Sequence, residues 1–268
     1  MRASLSAVLV VLALGVGSAG YWYYQQGRVV PLAPDPGDVI DGDWLEHLYS
    51  QNPKVAEEAA RQLTELGPEA LPEIRAALHE PRADAAMKKA ALKACSLLGP
   101  IAAPAVADVA AHLTDPELTE EAAVALSFMG REAYSPLREG TSSDDPVVRR
   151  ESLRSLGKLR ERAPLDARAV VPLLLQGLAD ADPGVRTVAA TYLGIIHEDG
   201  AAAVPALIET LADEVPEVRA AAATALGSFE AQAETALPAL RKAASDRNED
   251  VAREAGLAIV KLQSSSRK

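Results

Sequence analysis

Apolar residues recur along this chain at one repeated spacing. The segments VRRESLRSLGKL, VRTVAATYLGII and VRAAAATALGSF begin at Val148, Val185 and Val218, and they align without gaps. In each segment a small residue follows the first residue by four positions, and larger apolar residues follow it by eight and eleven positions. These offsets lie on one face of an α-helix. The same pattern starts at seven anchor residues, which define units 1 to 7: Val55, Met87, Leu118, Val148, Val185, Val218 and Val251.

Capping residues predict where these helices begin. An Asp or Asn stands three residues before every anchor except that of unit 6, where Val215 takes its place, and proline follows in five units. An Asx residue caps the first backbone N–H groups, and proline suits the first helical position because its missing N–H would be unbonded there. A second set of prolines predicts a second helix in each of six units: Pro72, Pro104, Pro136, Pro172, Pro205 and Pro238.

Each unit is therefore predicted to be a helical hairpin that buries its apolar face only by stacking on its neighbours. The order Asp-Pro, Val-Arg, an Ala-rich turn, Leu-Gly and then Val-Pro resembles HEAT repeats in their short bacterial, bilin-lyase-like form. The resemblance covers residues 43–263 and implies an all-α fold, a right-handed α-solenoid of about six to seven hairpins. Residues 264–268 are predicted to be a disordered tail.

The N-terminus predicts a transmembrane helix. Residues 3–24 carry no charge, a length that can span a bilayer, and the segment ends in Tyr21, Trp22, Tyr23 and Tyr24. Arg2 precedes the segment and acidic residues follow it, which favours a cytoplasmic N-terminus. We expect residues 1–24 to be an anchor in the inner membrane, 25–42 a Pro/Gly-rich linker, and the solenoid to be periplasmic. The alternative is a cleaved signal and a secreted or periplasmic protein.

Charge and cysteine content limit the classes of function that are open to this chain. Two of the 27 Lys and Arg residues and none of the 38 Asp and Glu residues lie in the first thirty positions, so the rest holds 25 basic and 38 acidic residues. Such a surface repels phosphate backbones, and no nucleic-acid partner is expected. The single cysteine, Cys95, occupies a column of Leu and Ile and is predicted to be a buried, unreactive residue.

His197, Glu198 and Asp199 form a cluster that could hold a metal. The equivalent positions of the other units hold residues such as Gly67 and Gln263, all predicted to end a first helix, so the cluster is interpreted as a helix end and turn. Deoxyhypusine-hydroxylase-like HEAT proteins bind two irons through His-Glu pairs placed just after Val-Arg. The matching pairs here contain no His: Arg150–Glu151, Thr187–Val188 and Ala220–Ala221. No metal, cofactor, catalytic residue or small-molecule substrate is expected.

Unit 4 departs most from the repeat. It is followed by a 37-residue step to the next anchor, and residues 149–168 hold seven basic against three acidic residues. Four of these basic residues follow one helical line and are the candidate partner-binding residues: Arg150, Arg154, Lys158 and Arg162. The alternative is a solvated face balanced by acids of nearby units, such as Glu120 and Glu121.

Two further features of units 4 to 6 have structural interpretations. Arg149, Arg186 and Arg219 follow their anchors, and the HEAT resemblance implies that they pair with the capping Asp of a neighbouring repeat. Tyr192 stands in a column of small or polar residues, where we expect it to fill space opened by the unit 4 insertion.

Together these features favour a non-enzymatic scaffold for protein–protein interaction, tethered to the membrane and exposed on its outer side. The alternative is a HEAT-repeat enzyme or enzyme subunit of bilin-lyase-like or hydroxylase-like type. The partner is predicted to be another protein.

Overall fold

A computed structural model describes residues 44–163 and 167–265. The predicted membrane anchor 1–24 and linker 25–42 lie outside these residues, as do 164–166 of the unit 4 insertion and 266–268 of the predicted tail. Within the described ranges the chain is all-helical and contains no strand, which confirms the predicted all-α class.

The helices alternate as first and second members of stacked hairpins, so that six pairs are followed by one more first helix. The first helices are α2 Pro53–Leu66, α4 Ala85–Leu98, α6 Thr119–Leu126, α8 Pro146–Arg162, α10 Pro183–Ile196, α12 Pro216–Leu226 and α14 Glu249–Ser265. The second helices are α3 Leu71–His79, α5 Val106–Ala110, α7 Tyr134–Gly140, α9 Ala167–Gly177, α11 Gly200–Thr210 and α13 Ala233–Ala243. A short helix, α1 Trp44–His47, precedes the first pair. Successive first helices pack against one another, and each second helix packs against the first helix of the next unit. We call the surface formed by the first helices the first-helix face.

Most first helices begin where their caps predict. The side chains of Asn52, Asp84, Asp145 and Asp182 each accept a hydrogen bond from a backbone N–H of the first turn. Unit 3 is the exception, since α6 begins at Thr119 and not at the predicted Pro116. There the Thr119 hydroxyl bonds the backbone oxygens of the preceding loop, which holds the chain in a turn before the helix starts.

The repeated apolar columns form the core. The residues eight positions after the anchors are fully buried in units 1 to 6: Leu63, Cys95, Leu126, Leu156, Leu193 and Leu226. The small column four positions after the anchors is equally buried, which lets neighbouring helices approach closely. The predicted register is therefore the register of the core.

Among the described residues, one stretch, Ala85–Ala110, is long and apolar enough to cross a membrane, judged by length and composition alone. Half of its most apolar window is buried within the solenoid. It comprises α4, a 3₁₀ segment and α5, all of which pack in the repeat core, so its apolar character follows from that packing.

Tyr192 is buried, but for a different reason from the one predicted. A Cβ atom added to Gly157 would stand 2.1 Å from Cδ1 of Tyr192. The ring therefore occupies the space left by the missing side chain of the preceding first helix. The unit 4 insertion is not needed to explain it.

Three arginines join the loops between units into a ladder. Arg186 donates from Nε and Nη2 to the two carboxylate oxygens of Asp213, at 2.7 and 2.9 Å. Its Nη1 donates to the backbone oxygens of Asp180 and Ala181 in the preceding loop. The pattern repeats in two more rungs: Arg149 with Asp180, and Arg219 with Asp246.

These contacts confirm a structural role for the arginines but correct their partner. The carboxylate is not the capping residue. It stands two positions before the cap, as Asp213 stands before Val215, and its oxygen also accepts the N–H of the cap residue. The aspartate can therefore hold the loop and the arginine at once.

The ladder predicts that stability falls in acid. Hydrogen bonding from Arg149 holds the pKa of Asp180 below its usual range. Burial acts to raise the pKa of Asp213, but hydrogen bonds from Arg186 and the Val215 N–H outweigh it and lower the pKa. Because these folded-state values lie below the unfolded value of about 3.9, the stabilisation is complete above about pH 5 and is lost as the pH falls further.

Urea unfolding of the wild-type chain between about pH 3 and 7 measures this loss. The free energy of unfolding of the Arg186→Ala variant should fall less over the same pH range, because one rung of the ladder is already broken. If the free energy of unfolding fell equally with pH in the two proteins, the ladder would not be the cause of the acid sensitivity.

Candidate partner-binding surface

The His197, Glu198 and Asp199 cluster is a turn, as interpreted from the sequence. Helix α10 ends at Ile196, and His197 and Asp199 adopt positive φ angles of 38° and 49°. The Glu198 carboxylate forms an ion pair with Arg160 of unit 4. Gly200 is the first residue of α11, so the turn between the two helices is only three residues long.

The remaining histidine and cysteine groups have structural surroundings. No group of three or more His, Cys, Asp or Glu residues in the described ranges is placed to hold a metal ion. Nε2 of His79 lies 2.7 Å from Oδ1 of Asp108, and Arg75 donates to Oδ2 of the same carboxylate at 2.6 Å. This link between α3 and α5 was not predicted, since nothing in the repeat columns indicates it. Burial raises the pKa of Cys95 to about 12, which keeps its thiol protonated.

The four candidate residues Arg150, Arg154, Lys158 and Arg162, which we call the basic ridge, lie along α8 on the first-helix face. Glu151 is 2% exposed and lies between the first two arginines. Arg150 Nε donates to its Oε1 at 3.0 Å, and Arg154 Nη1 donates to its Oε2 at 3.1 Å. One buried carboxylate thus serves two arginines, each of which keeps about a third of its side chain exposed.

The Arg162 end of the basic ridge is held by unit 3. Arg162 donates to Ser127 Oγ at 3.1 Å, and its guanidinium carbon lies 3.9 Å from the centre of the Phe128 ring. Burial lowers the pKa of Lys158, and the positive charges of Arg154 and Arg162 lower it further. The effect of Arg154 and Arg162 on this pKa indicates that the positive charges are crowded together along α8.

The acids expected to balance the basic ridge do so only weakly. Glu121 pairs with Lys89 of unit 2 at 2.8 Å. Glu120 acts on Lys158 only as a nearby charge. Its effect on the pKa of Lys158 is the smallest of those that shift this pKa. The main counter-charge is Glu151, from the same helix, so the basic ridge keeps a net positive charge on an otherwise acidic domain. Whether it binds a partner remains a prediction.

The fold and this surface define an α-solenoid with a charged ridge on its first helices. A family model described as HEAT repeats matches residues 134–227 and 204–267, which together span half of the chain. The chain belongs to the HEAT-repeat family. No curated protein matches the sequence.

Several solved structures are similar to this chain. Kap121p is 16% identical with a TM-score of 0.60, and the match covers 78% of this chain but 28% of Kap121p. The CpcE–CpcF complex of phycocyanin lyase from Nostoc sp. PCC7120 is 24% identical with a TM-score of 0.49, covering 58% of this chain and 98% of that one. An engineered protein is 23% identical with a TM-score of 0.46, covering 82% and 95%. At these identities the likeness concerns the fold.

Proposed function

We propose that this chain is a non-enzymatic scaffold that binds another protein through its solenoid. Its first 24 residues tether it to the inner membrane and place the solenoid on the periplasmic side. The observation that carries the proposal is the basic ridge, whose positive charges are only partly neutralised while the rest of the chain is acidic. Arginine suits this task because its planar group donates two parallel hydrogen bonds to a carboxylate.

The arrangement of the polar groups supports the non-enzymatic part of this proposal. Asp145 and Asp182 cap helices, Asp180, Asp213 and Asp246 form the ladder with three arginines, and the one thiol is buried. The alternative is a hydroxylase-like or bilin-lyase-like enzyme, which would carry metal or chromophore. Elemental analysis and an absorbance spectrum of the purified chain separate the two, because two irons per chain or a bound bilin would favour the enzyme.

Removing charge from the basic ridge should weaken capture of the partner. The double variant Arg150→Gln with Lys158→Glu removes three units of positive charge but leaves Arg154 paired with the buried Glu151. Substituting both arginines by glutamate would strand that carboxylate and confound binding with unfolding. Captured partner is measured by quantitative mass spectrometry after co-purification from detergent-solubilised membranes. It should fall several-fold, and what remains should respond less to added salt.

Unit 7 supplies a matched control, since Arg253 and Lys261 occupy the same two helix positions in α14. Arg253→Gln with Lys261→Glu changes the total charge equally and should leave capture unchanged. Circular dichroism confirms that both double variants are folded. Equal loss in the two variants would show that total charge matters and not the basic ridge.

The proposed tether predicts an intact N-terminus. Mass spectrometry of the membrane fraction should find peptides from residues 5–24 still attached to the chain, because the segment is long enough to span the bilayer and ends in aromatic residues. A soluble product that begins near Gly20 or Tyr21 would show instead that the segment is a cleaved signal.

A further inference from the structure

The first-helix face changes chemically along the array. Three columns on this face, two, six and ten residues after the anchors, are partly or fully exposed in all seven units. Units 1, 2, 4 and 7 carry two or three charges in them, and unit 3 carries one. Units 5 and 6 carry none. Their six residues, which we call the neutral strip, are Thr187, Thr191, Ile195, Ala220, Thr224 and Ser228.

The neutral strip is less polar than its composition suggests. The hydroxyls of Thr187, Thr191 and Thr224 each donate to the backbone oxygen four residues earlier, at 2.8 to 3.0 Å. Thr187 and Thr191 thus use their donors within α10, whereas the Thr224 hydroxyl also lies 3.1 Å from Oε2 of Glu254 on α14. Ile195 adds a side chain that is 45% exposed.

A groove of about 390 Å³ runs between α10 and α12 within the neutral strip. Gly194 and Ala225 line it and pack against each other: a Cβ atom added to Gly194 would stand 2.6 Å from Cα of Ala225, so α10 and α12 approach closely beneath the groove. Its walls include Thr191, Ile195 and Thr224.

The two borders of the groove differ in charge. On the α8 side lies the basic ridge, where Arg150 and Arg154 share one acid, and Arg154 and Arg162 crowd Lys158. On the α14 side Arg253 is paired with both Asp250 and Glu254. That border also presents Leu257 and Val260, which are 59% and 64% exposed. Lys261 on the same side donates to Ser228 Oγ at 3.3 Å. The net positive charge is therefore larger on the α8 side of the groove, and apolar surface continues on the α14 side.

We propose that the groove between α10 and α12 binds an amphipathic helix of the partner, with small apolar residues in the groove and carboxylates on the edge that faces α8. Charge complementarity sets this orientation. Adjacent helices lie about 8–10 Å apart, and a helix with its side chains is about 10–12 Å across, so its edge reaches over α10 toward the basic ridge. This inference rests on the proposed function and names the chemistry of its partner.

The test uses the full-length chain in detergent micelles and a stapled 15-residue helical peptide. The peptide carries Glu along one edge and Ala and Leu on the adjoining face, and a scrambled peptide of the same composition is the control. Binding is measured by fluorescence anisotropy. The amphipathic peptide should bind and the scrambled one should bind at least about tenfold more weakly, since scrambling removes the apolar face.

Variants of the chain locate the site. Thr224→Glu places a charge in the groove and should weaken binding at least about tenfold, because that charge is desolvated by the peptide and repels its carboxylates. Thr224→Leu keeps the groove apolar and should retain binding. Thr64→Glu is the matched control, since Thr64 in unit 1 is exposed and donates to the backbone oxygen four residues earlier in the same way.

Each remaining outcome overturns the inference. If the basic-ridge variant weakens peptide binding but Thr224→Glu does not, the site is electrostatic alone and the proposed scaffold function stands. If neither variant alters peptide binding or partner capture, both proposals fail. If the peptide does not bind while phosphatidylglycerol vesicles bind through the basic ridge, the surface recognises a membrane.

Discussion

Replacing Leu226 by alanine is expected to lower the free energy of unfolding by about 2–5 kcal/mol. Leu226 is fully buried in α12, in a column that is also buried in the adjacent unit at Leu193. Removing most of the side chain loses its transfer free energy and leaves a cavity that rigid neighbouring helices can fill only in part. Urea unfolding followed by circular dichroism at 222 nm measures the change.

Leu257→Ala is the matched control for this experiment. Leu257 lies on α14 with 59% of its surface exposed, and its substitution is expected to change the free energy of unfolding by less than about 0.5 kcal/mol. Similar losses for Leu226→Ala and Leu257→Ala would mean that the repeat register places the wrong column in the core.

Replacing Arg186 by alanine should destabilise the chain by about 3–5 kcal/mol. The Arg186–Asp213 ion pair is largely buried, since only 10% of the Arg186 side chain and 12% of the Asp213 side chain are exposed to solvent. The substitution leaves the Asp213 carboxylate without its counter-charge and also removes the donor to Asp180 and Ala181. Chemical unfolding at pH 7 measures the loss.

Two further variants assign that loss to the buried charge. Arg253→Ala removes an arginine that also contacts two acids but is 59% exposed, and it should cost at most about 1 kcal/mol. Adding Asp213→Asn to Arg186→Ala removes the unpaired charge and should restore part of the stability. If Arg186→Ala and Arg253→Ala behaved alike, the ladder would contribute no more than a surface ion pair.

The helices and their buried columns could be predicted because each is set by local periodicity. A residue eight positions after Val218 must lie on the same helix face as Val218, whatever surrounds it. The Asx caps are equally local, and Asp145 and Asp182 behave as their sequence predicts. Unit 3 departs because a threonine hydroxyl competes for the loop carbonyl groups, a choice that the Asp-Pro pattern does not reveal.

The contacts between units were harder to predict, since they join residues about 30 positions apart in different columns. Nothing in the sequence pairs Tyr192 with Gly157, because the fit depends on how closely two helices approach. The ladder shows the same limit. Its arginines follow the anchors visibly, but only the loop geometry shows that Asp213 and not the cap residue receives Arg186. Glu151 could have been found, since it adjoins Arg150 and lies three residues from Arg154.

The ladder also bears on how the array can change in length. Arg186 and Arg219 stand 33 residues apart, as do Asp213 and Asp246, so each unit carries one complete rung and the backbone carbonyl groups that receive the next. A tandem duplication of one such segment would bring its own arginine, aspartate and loop, and both new junctions would match the old ones. Units 5 and 6 are therefore interchangeable in this respect, whereas units 1 to 3 and unit 7, which lack the arginine, could not be copied into the series without breaking it.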